Sequence, residues 1–316
     1  MQAAVINVLG QPPSYKQFPD PVAGEGEALI QVRAAGLHPI VKALASGSHY
    51  IGSSELPMVP GVDGVGLLED GSRTYFGFAR KPWGTMSERT VAPRSMCIPL
   101  PDGLDDTHAA AIANPGMSAW MSLKERAGLA AGETVLVLGA TGVAGQLAIQ
   151  VARHMGAKRI IGAGRNVKAI ASANVDATIA LGQPEDAVRE AFAAEAVSGI
   201  DVVIDYLWGR PTELLLEALA KGFKASATHR TRLVEVGESA GKTITLPGST
   251  LRSIDLTLLG SGFGSASLDK IFAAIPILFS MAAAGKLKIA VEPVPLSEVE
   301  VAWNWVEKGR RIVFTV

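Results

Sequence analysis

Three glycines spaced three residues apart, Gly139, Gly142 and Gly145, stand between a short apolar run and a segment with helical periodicity. Glycine at such a junction lets backbone N–H groups come close to a phosphate, and the positive end of the helix dipole favours its negative charge. The spacing is G-x-x-G-x-x-G rather than the commoner G-x-G-x-x-G, so glycines that only form a turn remain an alternative. Because the motif lies between a predicted strand and a predicted helix, it indicates a dinucleotide pyrophosphate site.

The residues about twenty positions further on indicate which dinucleotide is bound. An NAD-specific site places Asp or Glu there, where the carboxylate holds the ribose 2′-hydroxyl. This chain has Arg165 and Lys168 instead, with Gly164 and Asn166 beside them. A guanidinium fork and an ammonium group suit a 2′-phosphate, so the sequence predicts NADPH as the cofactor. A solvated helix start with surface basic residues is the alternative.

Alternating strands and helices must position these residues. From about Gly128 onward, short apolar runs typical of strands buried on both faces alternate with helical patterns. This alternation predicts a doubly wound parallel sheet. The predicted strands are 132–139, 159–164, 177–181, 201–206, 232–237 and 256–260. The predicted helices include 168–174, 184–197 and 271–284.

The flanking segments have a different pattern. Residues 1 to about 113 consist of short β-type runs separated by glycine and proline, which predicts an all-β barrel or sandwich. Residues 291–316 follow the order strand, helix, strand, with the helix expected over 298–308.

The overall composition excludes several classes of protein. The 316 residues carry 29 basic and 30 acidic side chains, and a net charge of −1 disfavours nucleic-acid binding. The single cysteine, Cys97, can form neither an intrachain disulfide nor a structural zinc site, which indicates a reducing compartment. The N-terminus lacks the features of a secretory signal, and no apolar stretch reaches the ~18 residues of a membrane span. We therefore expect a cytoplasmic protein without a membrane partner.

The order of these parts resembles the medium-chain dehydrogenase/reductase superfamily, specifically its zinc-free quinone oxidoreductase branch. The resemblance covers nearly the whole chain and is carried by segments 34–39, 57–66, 83–93, 99–104, 116–120, 139–145, 234–237 and 307–311. It implies an α/β fold of two domains. A GroES-like β-barrel catalytic domain, residues 1–113 and 275–316, is interrupted by a Rossmann NADPH-binding domain, residues 114–274.

The resemblance also implies that no metal is bound. Zinc-dependent members of the superfamily carry a cysteine in the segment that here spans 36–39, and a His-Glu pair where this chain has Val62 and Asp63. His38 alone cannot supply the three or so protein ligands of a catalytic zinc. In zinc-free relatives the His38 position is often Asn, and a short acidic residue commonly occupies the position of Val41. The polar groups that assist the substrate are therefore expected to be supplied differently in this chain than in those relatives.

The resemblance assigns cofactor contacts by motif position. The residues implied are Ser118, Thr141, Gly142, Val143, Ala144, Gly164, Arg165, Asn166, Lys168, Gly237, Ser261 and Gly262. Lys168 corresponds to a family lysine that meets the 2′-phosphate, in agreement with the charge argument above. A family tyrosine that lies under the adenosine is replaced near Leu181, and Arg310 or Arg311 is a candidate to reach the cofactor from the tail.

A nicotinamide cofactor carries the hydride chemistry, and the protein supplies position and electrostatics. The resemblance implies hydride transfer from NADPH to a small quinone or α,β-unsaturated carbonyl without zinc. The anion formed on the substrate must be protonated, and a donor near the carbonyl would help. His38 and Tyr50 are the candidates for this catalytic role, because their segments face the nicotinamide in relatives. Water as the proton source and a purely structural His38 are the alternatives.

The sequence excludes one other class of reductase and leaves two other functions open. A short-chain reductase requires a Tyr-x-x-x-Lys pair, and no tyrosine of this chain has lysine four residues later. An enoyl thioester reductase of the same superfamily and a non-catalytic NADPH-binding or structural protein remain alternatives. Segment 255–260 is expected to be an edge strand of the Rossmann sheet, through which two chains would form a homodimer as in the family.

Overall fold

The fold is that of a computed structural model, which describes residues 1–50, 52, 55–221, 229–306 and 309–316. The chain forms two compact units, one of Met1–Asn114 with Ile275–Val316 and one of Pro115–Ala274. Residues 307–308, which end the expected tail helix and begin the last motif of the resemblance, lie outside the described residues.

The described residues form fifteen strands and nine α-helices. The strands are β1 (Gln2–Val5), β2 (Ser14–Gln17), β3 (Glu27–Gly36), β4 (Asp63–Leu67), β5 (Arg73–Gly77), β6 (Arg89–Pro93), β7 (Cys97–Pro99), β8 (Thr134–Leu138), β9 (Arg159–Gly164), β10 (Ala177–Ala180), β11 (Val202–Asp205), β12 (Thr231–Glu235), β13 (Leu256–Gly260), β14 (Ala290–Pro295) and β15 (Arg310–Thr315). The helices are α1 (Pro39–Ala45), α2 (Asp106–Trp120), α3 (Val143–His154), α4 (Val167–Ala171), α5 (Glu185–Val197), α6 (Arg210–Lys221), α7 (Gly248–Ser253), α8 (Leu268–Ala283) and α9 (Val299–Ala302). A π-helical segment, Met121–Arg126, continues α2.

The first unit is built on a seven-stranded sheet in which β14, β15, β3, β4, β5 and β7 follow one another and β6 also pairs with β3. All of its pairs are antiparallel except β14 with β15. Buried Ala28, Ile30 and Val32 alternate along β3, as expected for a strand with one face on the core. β15 lies between β14 and β3, so the tail of the chain belongs to this sheet.

The second unit is built on a six-stranded parallel sheet in the order β10-β9-β8-β11-β12-β13. Residues 135–138 of β8 are fully buried, as expected for an inner strand of a doubly wound sheet. The strand order reverses between β8 and β11, and ligands bind outside the carboxyl ends of the strands at such a point. The predicted α/β class, with a doubly wound sheet and a separate β-rich domain, is confirmed. β13 is an edge strand, also as predicted.

Two predicted helices are shorter than expected. The helix expected over 168–174 is α4, which ends at Ala171, and Asn174 has a left-handed φ of 57° that a helix cannot contain. The tail helix expected over 298–308 is reduced to α9. Val306 is 79% exposed, so this segment buries too little apolar surface to extend the helix. The helix predicted over 271–284 is confirmed as α8, and no helix of the described residues is long and apolar enough to cross a membrane.

Candidate functional site

The glycine loop follows β8 at the carboxyl edge of the parallel sheet. Gly139 has a φ of +88°, a left-handed conformation that larger residues rarely adopt. A Cβ at Gly145 would lie 2.2 Å from the Gly139 carbonyl oxygen, so the close approach of α3 to this loop requires glycine. Gly142 is the N-cap of α3 and provides no side-chain cap. The N–H groups of Val143 and Ala144 in the first turn lack intrahelical acceptors and can therefore bind a phosphate.

The end of β9 lies beside this loop. The Ala163 carbonyl oxygen accepts hydrogen bonds from the N–H groups of Gly139 and Ala140, each at 3.0 Å. The Thr141 hydroxyl lies 3.5 Å from the position that a Cβ at Gly164 would occupy. The structure therefore brings the predicted pyrophosphate residues and the terminus of β9 together.

Arg165 and Lys168 follow β9 directly, at the start of α4, and both are exposed. Neither forms an ion pair within the described residues, whereas Arg153 in the same unit is held by Asp176 at 2.7 Å. Asn166 uses its side-chain oxygen as the N-cap of α4. Two cations without carboxylate partners at the end of β9 are the arrangement that a 2′-phosphate requires.

Three further predicted contacts follow β12 and β13 at the same edge; they are Gly237, Ser261 and Gly262. The Ser261 N–H donates to the Glu235 carbonyl oxygen at 2.8 Å, which ties the two strand ends together. A cavity of about 390 Å³ opens here, with Trp208 and Glu235 among its walls. Burial, reinforced by the charges of Asp205 and Glu238, raises the pKa of the Glu235 carboxyl.

Asp205, at the end of β11, is a buried residue that the sequence interpretation missed. Its carboxylate accepts hydrogen bonds from the N–H groups of Leu207 at 2.8 Å and Trp208 at 2.9 Å, and from the Thr212 hydroxyl at 2.5 Å. These bonds hold Trp208 in a left-handed conformation with a φ of 54°. Burial raises the pKa of Asp205 against the opposing effect of the three hydrogen bonds. An aspartate directly after three apolar strand residues is the sequence signal that would have found it.

Ser118 on α2 faces Tyr206, which follows β11. The Tyr206 hydroxyl is buried, and its burial raises the pKa of the phenol while the Ser118 hydroxyl opposes the rise. The Cβ of Tyr206 lies 3.3 Å from the position of a Cβ at Gly139. Ser118, a predicted cofactor contact, is therefore placed near the point where the strand order reverses.

His38, Asp63 and Tyr75 form a buried polar cluster in the antiparallel-sheet unit. Nε2 of His38 lies 3.3 Å from one carboxylate oxygen of Asp63, and the Tyr75 hydroxyl donates to the other at 2.9 Å. The His38–Asp63 contact lacks hydrogen-bond alignment, and neither imidazole nitrogen has a hydrogen-bond partner among the described residues. Burial, the Asp63 charge and the hydrogen bond together raise the pKa of Tyr75 well above its ordinary value. Gly36 admits the imidazole, because a Cβ there would lie 2.4 Å from Nε2.

The two predicted proton donors have opposite surroundings. His38 is fully enclosed, with no exposed surface, whereas Tyr50 is 75% exposed. The Tyr50 ring stacks on His49, with ring centroids 4.4 Å apart. Partial burial lowers the pKa of the His49 imidazole. Tyr50 therefore presents its hydroxyl to solvent, and His38 does not present its imidazole.

Arg310 and Arg311, the predicted tail arginines, each have a contact in the antiparallel-sheet unit. Arg311 is buried and donates to the Leu37 carbonyl oxygen at 2.8 Å. Arg310 pairs with Glu292 at 2.7 Å. Both contacts lie within the antiparallel-sheet unit.

His38 and Asp63 are also the residues from which a metal site would be built. No group of three or more His, Cys, Asp or Glu side chains in the described part of the chain is arranged to hold a metal ion. Cys97 is half-buried in the same unit, and its burial raises the pKa of the thiol. The absence of a metal stays a prediction from the ligand set.

Comparison with known proteins gives full-length relatives. No protein-family model matches the sequence. A probable NADPH-dependent quinone reductase of Emericella nidulans is 29% identical over an alignment that covers 99% of each chain. Human quinone oxidoreductase is 30% identical over 233 residues, with 70% of this chain and 67% of that protein covered. The quinone oxidoreductase of Thermus thermophilus, solved also as a complex with NADPH, is 27% identical over the full length of both chains, with a TM-score of 0.81.

Proposed function

We propose that this chain is an NADPH-dependent oxidoreductase. The premise is that it belongs to the quinone oxidoreductase family of the medium-chain dehydrogenase/reductase superfamily. Its substrate is a small quinone or α,β-unsaturated carbonyl, and it uses no zinc. The observation that carries the proposal is the exposed pair Arg165 and Lys168 beside the Gly139–Gly145 loop. This pair supplies charge for a 2′-phosphate within reach of a pyrophosphate site, as expected for NADPH.

The proposed contacts give NADPH one orientation along the carboxyl edge of the parallel sheet. The N–H groups of Val143 and Ala144 would hold the pyrophosphate at the start of α3. Arg165 and Lys168 would hold the 2′-phosphate at the end of β9, which assigns the adenosine to the β8–β10 half of the sheet. The nicotinamide then lies over the β11–β13 half. The residues proposed to line that half are Ser118, Gly237, Ser261 and Gly262, and those proposed at the adenosine half include Thr141, Gly142, Gly164 and Asn166.

NADPH, when bound, supplies a hydride to the substrate. The protein must then hold the substrate carbonyl and provide a proton to the anion that forms. Of the two predicted donors, Tyr50 has the hydroxyl that a substrate can reach, so we assign protonation to Tyr50. The enclosure of His38 favours a purely structural role for this histidine over proton donation.

The ligand set supports chemistry without zinc. His38 and Asp63 are two possible ligands, fewer than the three protein ligands that a catalytic zinc takes. Their cluster is completed by the Tyr75 hydroxyl, which already donates to Asp63. Polarisation of the substrate carbonyl is therefore assigned to side-chain and backbone donors.

The proposed enzyme is a homodimer and is located in the cytoplasm. A homodimer through β13 is supported by the position of this strand at the edge of the sheet and by the exposure of Leu258. A monomer mass at micromolar concentration in analytical ultracentrifugation would contradict it. A cytoplasmic location is supported by the single cysteine in the sequence.

Turnover of NADPH and NADH with several acceptors tests the proposal. The purified protein should oxidise NADPH in the presence of quinones and simple enones, and NADH much more slowly. Preferred reduction of an enoyl thioester would change the substrate class. Tight NADPH binding without turnover of any acceptor would favour a non-catalytic NADPH-binding protein, and a preference for NADH would contradict the role of Arg165 and Lys168.

A further inference from the structure

A polar stripe runs along α2 and the π-helical segment with a spacing of four residues: Ser118, Ser122 and Arg126. Ser122 is fully buried between apolar neighbours. Its hydroxyl donates to the Ser118 carbonyl oxygen at 2.7 Å and lies 3.0 Å from the Ser261 hydroxyl, 139 residues further along the chain. A fully buried hydroxyl therefore links α2 to the segment after β13.

Arg126 holds the same segment at both ends. Its Nε donates to the Gly260 carbonyl oxygen at 2.8 Å, and Nη1 donates to the Ser265 carbonyl oxygen at 3.3 Å. The guanidinium is a rigid planar group with several donors, so one side chain fixes the distance between the two carbonyl groups. We call residues 260–265 the β13 loop.

The β13 loop is also closed on itself. The Gly262 N–H donates to the Ser265 Oγ at 2.8 Å, and the Ser265 hydroxyl lies 2.8 Å from the Gly262 carbonyl oxygen. The Ser261 N–H adds its bond to the end of β12. Strand ends and a helix thus restrain the loop from different sides, although the loop contains three glycines that would otherwise leave it flexible.

The π-helical geometry of residues 121–126 fits this role. The Ala127 N–H donates to the Ser122 carbonyl oxygen at 2.9 Å, a bond across five residues instead of four. π-helical turns are less favourable than α-helical ones and are frequent at functional sites. Here the turn carries Ser122 and Arg126, the two residues that contact the β13 loop.

We propose that Ser122 and Arg126 are positioning residues that fix the β13 loop against the nicotinamide half of the cofactor. The inference rests on the proposed function, in which the nicotinamide lies over the β11–β13 half of the sheet. Hydride transfer is sensitive to the distance and angle between the reacting atoms, and a displacement of about 1 Å can cost about 100-fold in rate. A looser loop therefore slows the chemical step, while the distant phosphate contacts of NADPH retain most of its affinity.

The test compares kcat with the Kd for NADPH in the variants Ser122→Ala, Arg126→Met and Arg126→Lys. We expect kcat to fall about 10- to 100-fold in the first two, with the Kd close to that of the wild type. Arg126→Lys should recover part of the rate, because an ammonium can donate to one of the two carbonyl groups. Lys124→Met, an exposed change on the same π-helical segment, is the matched control and should keep the wild-type kcat.

The outcomes separate this inference from the proposed function. Absence of turnover in the wild-type protein contradicts the proposed function before any variant is measured. If the wild type turns over and Ser122→Ala and Arg126→Met keep its kcat, the positioning role is wrong. The positioning role is also wrong if the variants lose kcat, NADPH affinity and melting temperature in parallel. Should Arg126→Met fail to fold, Ser122→Ala and Arg126→Lys decide the question by the same two measurements.

Discussion

Nε2 of His38 and a carboxylate oxygen of Asp63 lie 3.3 Å apart within the antiparallel-sheet unit, and both side chains are shielded from water. A buried carboxylate is costly unless its oxygens are satisfied. Tyr75 satisfies one of them, and the imidazole faces the other. Because the Tyr75 hydroxyl is the donor to this carboxylate, its removal leaves that oxygen of Asp63 buried without a partner.

Replacement of Tyr75 by phenylalanine tests this dependence. Tyr75→Phe removes the donor to Asp63 while keeping the ring that packs edge-on against Phe279, with centroids 5.5 Å apart. We expect the free energy of unfolding at pH 7 to fall by about 1–3 kcal/mol. Urea titration of the wild type and the variant measures the difference.

The same variant has an expected pH dependence. The pKa of Tyr75 is raised in the folded state, so above about pH 10 the unfolded chain loses a proton that the folded protein keeps. Stability from this group is complete below that pH and is lost as the pH rises. The wild type should therefore lose stability more steeply than Tyr75→Phe between pH 9 and 11. Equal slopes for the wild type and Tyr75→Phe would contradict the raised pKa.

Removal of the Tyr50 hydroxyl tests the source of the proton. Tyr50→Phe should lower kcat by about 100-fold, the lower range for loss of a general acid, and leave NADPH affinity unchanged. Steady-state kinetics with a quinone, together with NADPH titration, measure both. His38→Asn is the companion variant. We expect it to lower the free energy of unfolding while it changes kcat less than Tyr50→Phe does. An unchanged kcat in Tyr50→Phe would make water the proton source.

Removal of the two exposed cations tests cofactor selection. Arg165→Ala and Lys168→Ala should each raise the Kd for NADPH by about tenfold, the effect of one lost charge-assisted hydrogen bond, and leave the Kd for NADH almost unchanged. Added salt should weaken NADPH binding to the wild type more than to the variants. Lys158→Ala, at the opposite end of β9, is the matched control. Equal losses for NADPH and NADH would contradict a contact to the 2′-phosphate.

A methyl group at Gly145 tests the fit of the glycine loop. The added Cβ of Gly145→Ala would lie 2.2 Å from the Gly139 carbonyl oxygen, so α3 must move away from the loop. We expect a loss of about 1–3 kcal/mol in unfolding free energy and a weaker NADPH complex. Gly77→Ala is the control, because its Cβ would meet only the Val62 carbonyl oxygen, at 3.7 Å. Wild-type NADPH affinity in Gly145→Ala would show that the loop tolerates the displacement.

Local patterns were sufficient to predict which glycines and cations lie together at the carboxyl edge of the parallel sheet. Gly139, Gly142 and Gly145 are close in sequence, and Arg165 and Lys168 follow a recognisable strand, so spacing alone places them at one sheet edge. The lengths of the short helices were less predictable, because exposed residues such as Val306 decide where a helix ends.

Contacts between distant segments were beyond prediction from local patterns. Asp63 meets Tyr75 through the register of β4 with β5, and Ser122 meets Ser261 only when β13 has joined the sheet. The sequence around Asp63 does not specify Tyr75 as its partner, and the sequence around Ser122 does not specify Ser261. The available signal was the repeat of polar residues four apart at Ser118, Ser122 and Arg126.

The pairing of β15 with β3 affects the order in which a growing chain can fold. Val313 pairs with Gly36, and the whole of Pro115–Ala274 is synthesised between them. The ribosome therefore releases every strand of the parallel sheet before β3 can acquire this neighbour. Since domains generally fold as units during synthesis, the Pro115–Ala274 unit can form first, while residues 34–36 at the end of β3 remain unpaired on the edge that β15 will join. During that interval the nascent chain presents this short strand end to chaperones and to other chains.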